Sequence, residues 1–294
     1  MEKTGQENET VVTEFLLLGF GDLGDQWFPL FLLFLVIYIA TMAGNILIIM
    51  LVIIDHHLHT MYFFLVNLSC LEFCYSSSIL PLMLANLSKG GQGTISVTGC
   101  MVQYYFFGFL AGTECYLLAA MSYDRYVAIC KPLLYRTLMN GQVCLQLIIV
   151  SWISGSLGID ITIYLVLQLK FCKLLSVYFA AVFSLPPFLL TLASYVSIIL
   201  VILRIPSSSG RKKAFSTCSS HLIVVSLFYS SIMIVYMLPK TEELRDLNKV
   251  FSLFYTVLPP FFNPQIYSLR NKEVKEAFRK NVARLCVSPI LFRI

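Results

Sequence analysis

An acid and a base, Asp124 and Arg125, stand side by side in the stretch MSYDRYVAICKPLLY, residues 121–135, directly after a long apolar run. Such a run crosses about 30 Å of hydrocarbon in roughly 20 residues at 1.5 Å each. Residues 100–122 therefore place the pair where a helix meets water. An arginine at that depth either snorkels to the headgroups or is held by a partner until something displaces it. Charge placement alone favours a simple anchor, and any further role has to come from the neighbouring sequence. Two more carboxylates, Glu72 and Glu114, lie deep inside apolar runs. They cannot both stay ionised in apolar surroundings without a cation or a shared proton. Each could be protonated and hydrogen-bonded by itself, but intramembrane acids are costly and normally face a bundle interior, which favours one joint polar site.

Other reactive residue types form no chemistry. His56, His57 and His59 cluster near Asp55, yet no further carboxylate or cysteine completes a metal set, so a solvated loop is expected. Lys89-Gly90-Gly91-Gln92-Gly93 lacks a Gly-Lys-Ser/Thr ending and reads as a turn. There is no His-Glu-x-x-His, no Gly-x-Ser-x-Gly and no Asp pair on facing spans, so no enzyme and no cofactor are expected.

The elements that position these residues follow from composition. The chain has 294 residues, 58% hydrophobic and only 13% charged, too apolar for a soluble domain, where charge is nearer a quarter. Seven runs are long enough to span a bilayer, at about 27–53, 61–84, 100–122, 143–167, 174–203, 214–238 and 250–269. The expected fold is an all-α membrane protein: an N-terminal segment 1–26, a seven-transmembrane helix bundle 27–269, and a cytoplasmic amphipathic helix and tail 270–294. Arg125, Lys131, Arg136, Arg204, Arg211, Lys212, Lys213 and the tail cations gather on one side, which the positive-inside tendency makes cytoplasmic. The N-terminus is then extracellular. The net charge of +5 is a topology signal, and nothing in it suggests nucleic acid.

Along the chain, Gly44-Asn45 reads as interhelical glue beside a small residue. Ser154, Gly155, Ser156 and Gly158 around Trp152 suit close helix packing, and Pro186-Pro187 bends the fifth span. Pro264 frees a carbonyl one turn back, for which Asn263 offers a local partner. After the seventh span, apolar residues at 274, 277, 278, 282 and 285 among alternating charges make an amphipathic helix on the inner leaflet. Asn8-Glu9-Thr10 is an outside glycosylation sequon. Of nine cysteines, only Cys100 and Cys172 fall at the oxidising outer face, so compartment selects that pair if any disulfide exists.

Five motifs in order, Thr13 to Phe20 (TEFLLLGF), Gly44-Asn45, MSYDRYVAICKPLLY, Lys213 to His221 (KAFSTCSSH) and Asn263 to Asn271 (NPQIYSLRN), resemble the olfactory receptors of the rhodopsin-like G-protein-coupled class over nearly the whole length. The resemblance implies a receptor in the plasma membrane for small odorant molecules, coupled to a stimulatory heterotrimeric G protein that raises cyclic AMP, with membrane lipid as its other partner. It implies that Asp124, Arg125 and Tyr126 form the cytoplasmic latch, and that Asn263, Pro264 and Tyr267 belong to the activation switch. Glu72 and Glu114, with Asn263, match a mid-membrane cation or proton site, where sodium is the metal to expect. Phe107, Gly108, Ala111, Tyr229 and Tyr236 match the ligand pocket.

The chain also departs from that family. Thr60 precedes Met61 where a proline is usual, and Ser230 replaces a glycine after Phe228-Tyr229. The second extracellular loop is cut to about Gln168–Lys173, without the usual partner for Cys100. The upper third span, Tyr104 to Phe109, has no acid to pair with an ammonium group, so an uncharged, largely apolar ligand is expected. The alternative class, a transporter or channel with a midplane polar site, predicts two matching halves, and none are visible.

Overall fold

The computed structural model describes residues 13–17, 19, 21, 24–54, 61–91, 93–169, 172–237 and 245–270, with the backbone alone for 61, 166–169, 172–181, 217, 234–237, 245–246, 255 and 267–270. Seven long helices dominate the described residues: α1 Trp27–Ile54, α2 Met61–Leu87, α3 Val97–Cys130, α4 Gly141–Leu169, α5 Cys172–Leu203, α6 Ser208–Met237 and α7 Arg245–Arg270. Short helical turns at Pro132–Leu134 and Tyr135–Leu138 join α3 to α4. Two strands, β1 Glu14–Leu17 and β2 Gly93–Ser96, pair antiparallel at one end of the bundle. The expected histidine-bearing loop, the Asn8 sequon and the amphipathic tail lie outside the described residues.

Local chemistry sets several boundaries. Ser96 caps α3 by accepting the Gly99 amide at 3.0 Å. Asn140 does the same for α4, its Oδ1 accepting the Val143 amide at 3.0 Å. Pro132 sits at the first position of its turn, where a missing N–H costs nothing.

The burial pattern is that of a bundle made to face hydrocarbon. On α1, Leu32, Leu33, Val36, Ile39 and Ile53 point outward, while Thr41 and Asn45 are buried. Helices over Gly24–Ile54, Tyr62–Leu87, Gly141–Leu165 and Val182–Leu203 are each long and apolar enough to cross a membrane; Ser208–Ser216 with Cys218–Met233 qualifies as a bent pair. The fully described α3 is not among these, since Gln103, Glu114, Asp124, Arg125 and its tyrosines make it less apolar. From Leu110 to Val127 it buries residues on every face, including Thr113, Glu114, Ser122 and Asp124. Its polar groups meet protein instead of lipid, which a membrane interior tolerates. Around it, α1 packs on α2 and α7, α2 on α3, α3 on α4 and α5, α4 on α5, α5 on α6, and α6 on α7.

The tightest seam joins α3 to α4. A Cβ on Gly112 would lie 3.3 Å from the Gly155 Cα, and one on Gly155 would meet the Thr113 hydroxyl, the Thr113 nitrogen at 2.7 Å and the Phe109 carbonyl at 2.8 Å. Only glycine allows that approach. Just below, the Trp152 Nε1 donates to the Asn67 Oδ1 at 3.2 Å and the Trp152 ring leans on Phe109, centroids 5.6 Å apart. One indole thus ties α2, α3 and α4. Gly155→Ala is expected to cost about 1–3 kcal/mol through overpacking, whereas Gly141→Ala, with open space around its Cβ, leaves stability unchanged; thermal unfolding in detergent measures both.

Candidate functional site

Three groups of polar residues are stacked along α3. At the end remote from the strands, Asp124 is buried, and its Oδ2 accepts from the Arg125 Nη2 at 2.7 Å and Nε at 3.1 Å. Its other oxygen accepts from the Tyr135 hydroxyl at 2.8 Å. Tyr135 is carried there by the Pro132–Leu134 turn, closed by the Leu134 amide on the Lys131 carbonyl at 3.0 Å. Both carboxylate oxygens are engaged, and the Arg125 side chain, 14% exposed, is neutralised within its own helix. Charge-assisted bonds of this kind are the strong ones. Across the gap, Tyr195 of α5 and His221 of α6 share a hydrogen bond of 2.5 Å and stack with centroids 5.9 Å apart. Arg125 is near enough to act electrostatically on both and on Cys218. Tyr126 takes no part in this group: its ring lies against Tyr123 at 6.2 Å, with the Lys131 ammonium 5.8 Å from its centroid.

Midway along the bundle, Glu72 of α2 accepts a hydrogen bond from the Asn263 amide of α7, both buried. Glu114 of α3 is buried and feels the charge of Glu72. The Glu72 Oε2, Glu114 Oε1, Asn263 Oδ1 and Ser76 Oγ are buried without a hydrogen-bond partner in the protein. An all-oxygen set with two carboxylates suits a hard cation or a proton. Among the described residues, no group of three or more His, Cys, Asp or Glu comes together as a metal centre.

Alongside this chamber α1 meets α7. Pro264 has no N–H to give the Pro260 carbonyl one turn back. The sequence offered Asn263 as the local remedy. In the structure Asn263 turns to Glu72, and the Asn45 amide of α1 reaches the Pro260 carbonyl at 3.5 Å while also donating to Thr41 at 3.0 Å. Gly44 makes room, since a Cβ there would sit 3.2 Å from the Pro264 ring.

Nearer the strands lie the expected pocket residues, and the structure divides them. Phe107 leans on Tyr75 of α2 with centroids 5.4 Å apart, and Ala111 packs in the same cluster. Gly108 faces α4, where a Cβ would strike Ile159 at 2.5 Å. Tyr229 is buried edge-on to Phe188 at 5.0 Å and to Phe228 at 5.3 Å, its hydroxyl close to that of Thr191 on α5. A separate groove of about 280 Å³ between α2 and α3 is lined by Ser78, Leu82, Ile95, Gly99, Val102, Gln103 and Phe106. Cys100 is a free thiol. The side chains of Cys172, Tyr236 and Tyr267 lie outside the described residues.

Sequence reasoning missed Tyr135, Tyr195, Phe188 and Thr191. Tyr135 was in view, since it closes the MSYDRYVAICKPLLY stretch; the other three are ordinary members of apolar runs.

The family model described as 7 transmembrane receptor (rhodopsin family) matches residues 44–267. Human Olfactory receptor 11L1 is 44% identical, with 95% of each chain covered. Mouse Olfactory receptor 2B6 is 45% identical over 96% of this chain and 98% of its own length, and mouse Olfactory receptor 8A1 is 46% identical over 95% and 98%.

The contact between Asn45 and Pro260 yields a double-mutant prediction. Asn45→Ala orphans a buried carbonyl and is expected to cost about 1–3 kcal/mol. Pro264→Ala restores the backbone donor for that carbonyl. In the Pro264→Ala background the cost of Asn45→Ala should fall by about 1 kcal/mol, read from thermal unfolding of the four proteins.

Proposed function

This chain belongs to the olfactory receptors of the rhodopsin family of seven-transmembrane receptors, and on that premise we propose that it binds small, uncharged, largely apolar odorants within the bundle and activates a stimulatory G protein, raising cyclic AMP. It is a multi-pass membrane protein and an odorant G-protein-coupled receptor, a signalling protein and not an enzyme. The proposed orientation puts the strands outside the cell and Arg125 inside, following the lysine and arginine bias.

The observation that carries the coupling is the engagement of Arg125 by Asp124 at the end of α3. The guanidinium is held within its own helix, within electrostatic reach of the Tyr195 and His221 pair from α5 and α6. A rearrangement of α6 that opens this end would exchange one set of partners for another, a two-state element of the kind signalling needs. Tyr267 is proposed to join the open state, and Tyr126 to border the coupling surface. Glu72, Glu114 and Asn263 are proposed to hold a sodium ion or a shared proton, supported by the four orphaned oxygens between α2, α3 and α7.

Support for an apolar ligand comes from Phe188, Phe228 and Tyr229, which offer aromatic area with a single hydroxyl, close to Thr191. Phe107 and Ala111 are proposed to border the same space, and Tyr236 its outer part, whereas Gly108 is spoken for by α4. The shortened loop is proposed to leave that space open to water and to weaken ligand capture. It is supported by the two residues between α4 and α5 and by an alignment of 310 positions against a chain of 294, which means the relative carries residues this chain lacks. Glycosylation at Asn8 belongs to the same proposed topology, and any pairing of Cys100 with Cys172 would need their Cα atoms within about 7 Å.

Arg125→Ala is expected to abolish cyclic AMP production, basal and evoked by an odorant panel, in cells whose surface level of the receptor is unchanged; intact signalling in that variant would refute the coupling role. Glu72→Gln and Glu114→Gln should each alter the sodium or pH dependence of basal nucleotide exchange on added G protein. Wild-type dependence on both in both variants would leave the pair a purely structural contact.

A further inference from the structure

Ser96 is both the last residue of β2 and the cap of α3. Whatever holds β2 therefore holds that end of the central helix. What holds it is β1, with Glu14 opposite Ser96, Phe15 opposite Ile95, Leu16 opposite Thr94 and Leu17 opposite Gly93. The Val97 amide extends the ladder by donating to the Thr13 carbonyl at 3.1 Å. That bond fixes the phase of the ribbon. Bonded and non-bonded pairs alternate in an antiparallel ladder, so Thr13 with Val97 and Phe15 with Ile95 are bonded pairs. Leu16 with Thr94 is a non-bonded pair, the kind whose side chains approach most closely. On its other side Ile95 lines the groove shared with Gly99, Val102 and Gln103, so the pairing is carried into the first turns of α3. Cys100 lies further along the same helix, inside α3 beyond the cap.

We propose that β1 is an N-terminal clamp: by pairing with β2 it positions the first turns of α3, making the segment ahead of α1 a working part of the bundle. The grip is set by a few ladder bonds, since a two-stranded ribbon is marginal in water by itself. Phe15, central in the ribbon, has its N–H facing β2, while the N–H of Leu16 faces away.

Two experiments on the full-length receptor in membranes test the clamp. In the first, Leu16→Cys and Thr94→Cys are combined with a protease site placed within residues 55–60. After cleavage the two fragments should stay joined on a non-reducing gel and separate on reduction; fragments that separate without reductant overturn the pairing. In the second, hydrogen exchange is followed in residues 101–106. Phe15→Pro removes a ladder donor and should speed exchange there about fivefold or more, with residues 117–127 unchanged. Leu16→Pro spares the ladder and should stay within about twofold of wild type. Wild-type rates in Phe15→Pro, or equal acceleration along all of α3, would overturn the positioning role.

Discussion

In hydrocarbon, a polar atom that finds no partner inside the protein has nowhere else to turn, and this constraint shapes every helix contact described above. Pro264 deprives the Pro260 carbonyl of its backbone donor within α7, and α1 answers with two consecutive residues. Gly44 admits the proline ring and Asn45 caps the carbonyl. A similar economy joins Trp152 to Asn67, where an indole too large to bury without a partner finds an amide oxygen on α2. Helix order around the bundle is thus set by pairs of polar atoms as much as by apolar packing.

That demand is not met everywhere. The oxygens left over around Glu72, Glu114 and Asn263 sit at the meeting point of α2, α3 and α7. At Arg125 the opposite holds. The guanidinium has a strong partner in Asp124, and Tyr135 takes up the second carboxylate oxygen. A charge matched so fully by its own helix adds little to the packing of one helix on another.

Much of this was legible before any coordinates. Charges inside apolar runs are conspicuous, so Glu72, Glu114, Asp124 and Arg125 announced themselves, and Gly44-Asn45 read correctly as glue. The target of Asn45 did not, because a carbonyl freed by a distant proline has no sequence signature. Tyr135 carries a hydroxyl that many surface tyrosines carry, and nothing in its spacing says that it returns to Asp124. Gly108 was assigned to the pocket by resemblance, and nothing local in the sequence says that its missing side chain makes room for Ile159 of α4. Charge placement marked a membrane boundary near Ser122, yet α3 continues to Cys130, since leaving hydrocarbon does not end a helix. The pairing of β1 with β2 joins segments some eighty residues apart, beyond the reach of local pattern.

The contrast between α1 and α3 bears on how freely such a sequence can drift. Leu32, Leu33, Val36 and Ile39 touch little but their surroundings, and a lipid-facing surface asks for apolarity and nothing of shape. Any of the branched aliphatics serves there. Leu117, Leu118, Met121 and Val127 are buried in the main core cluster, where packing is dense enough that a change in one is felt by its neighbours. Information in the chain is therefore distributed radially. The outer layer spells only hydrophobicity, in a nearly degenerate alphabet, and the inner helix spells one arrangement.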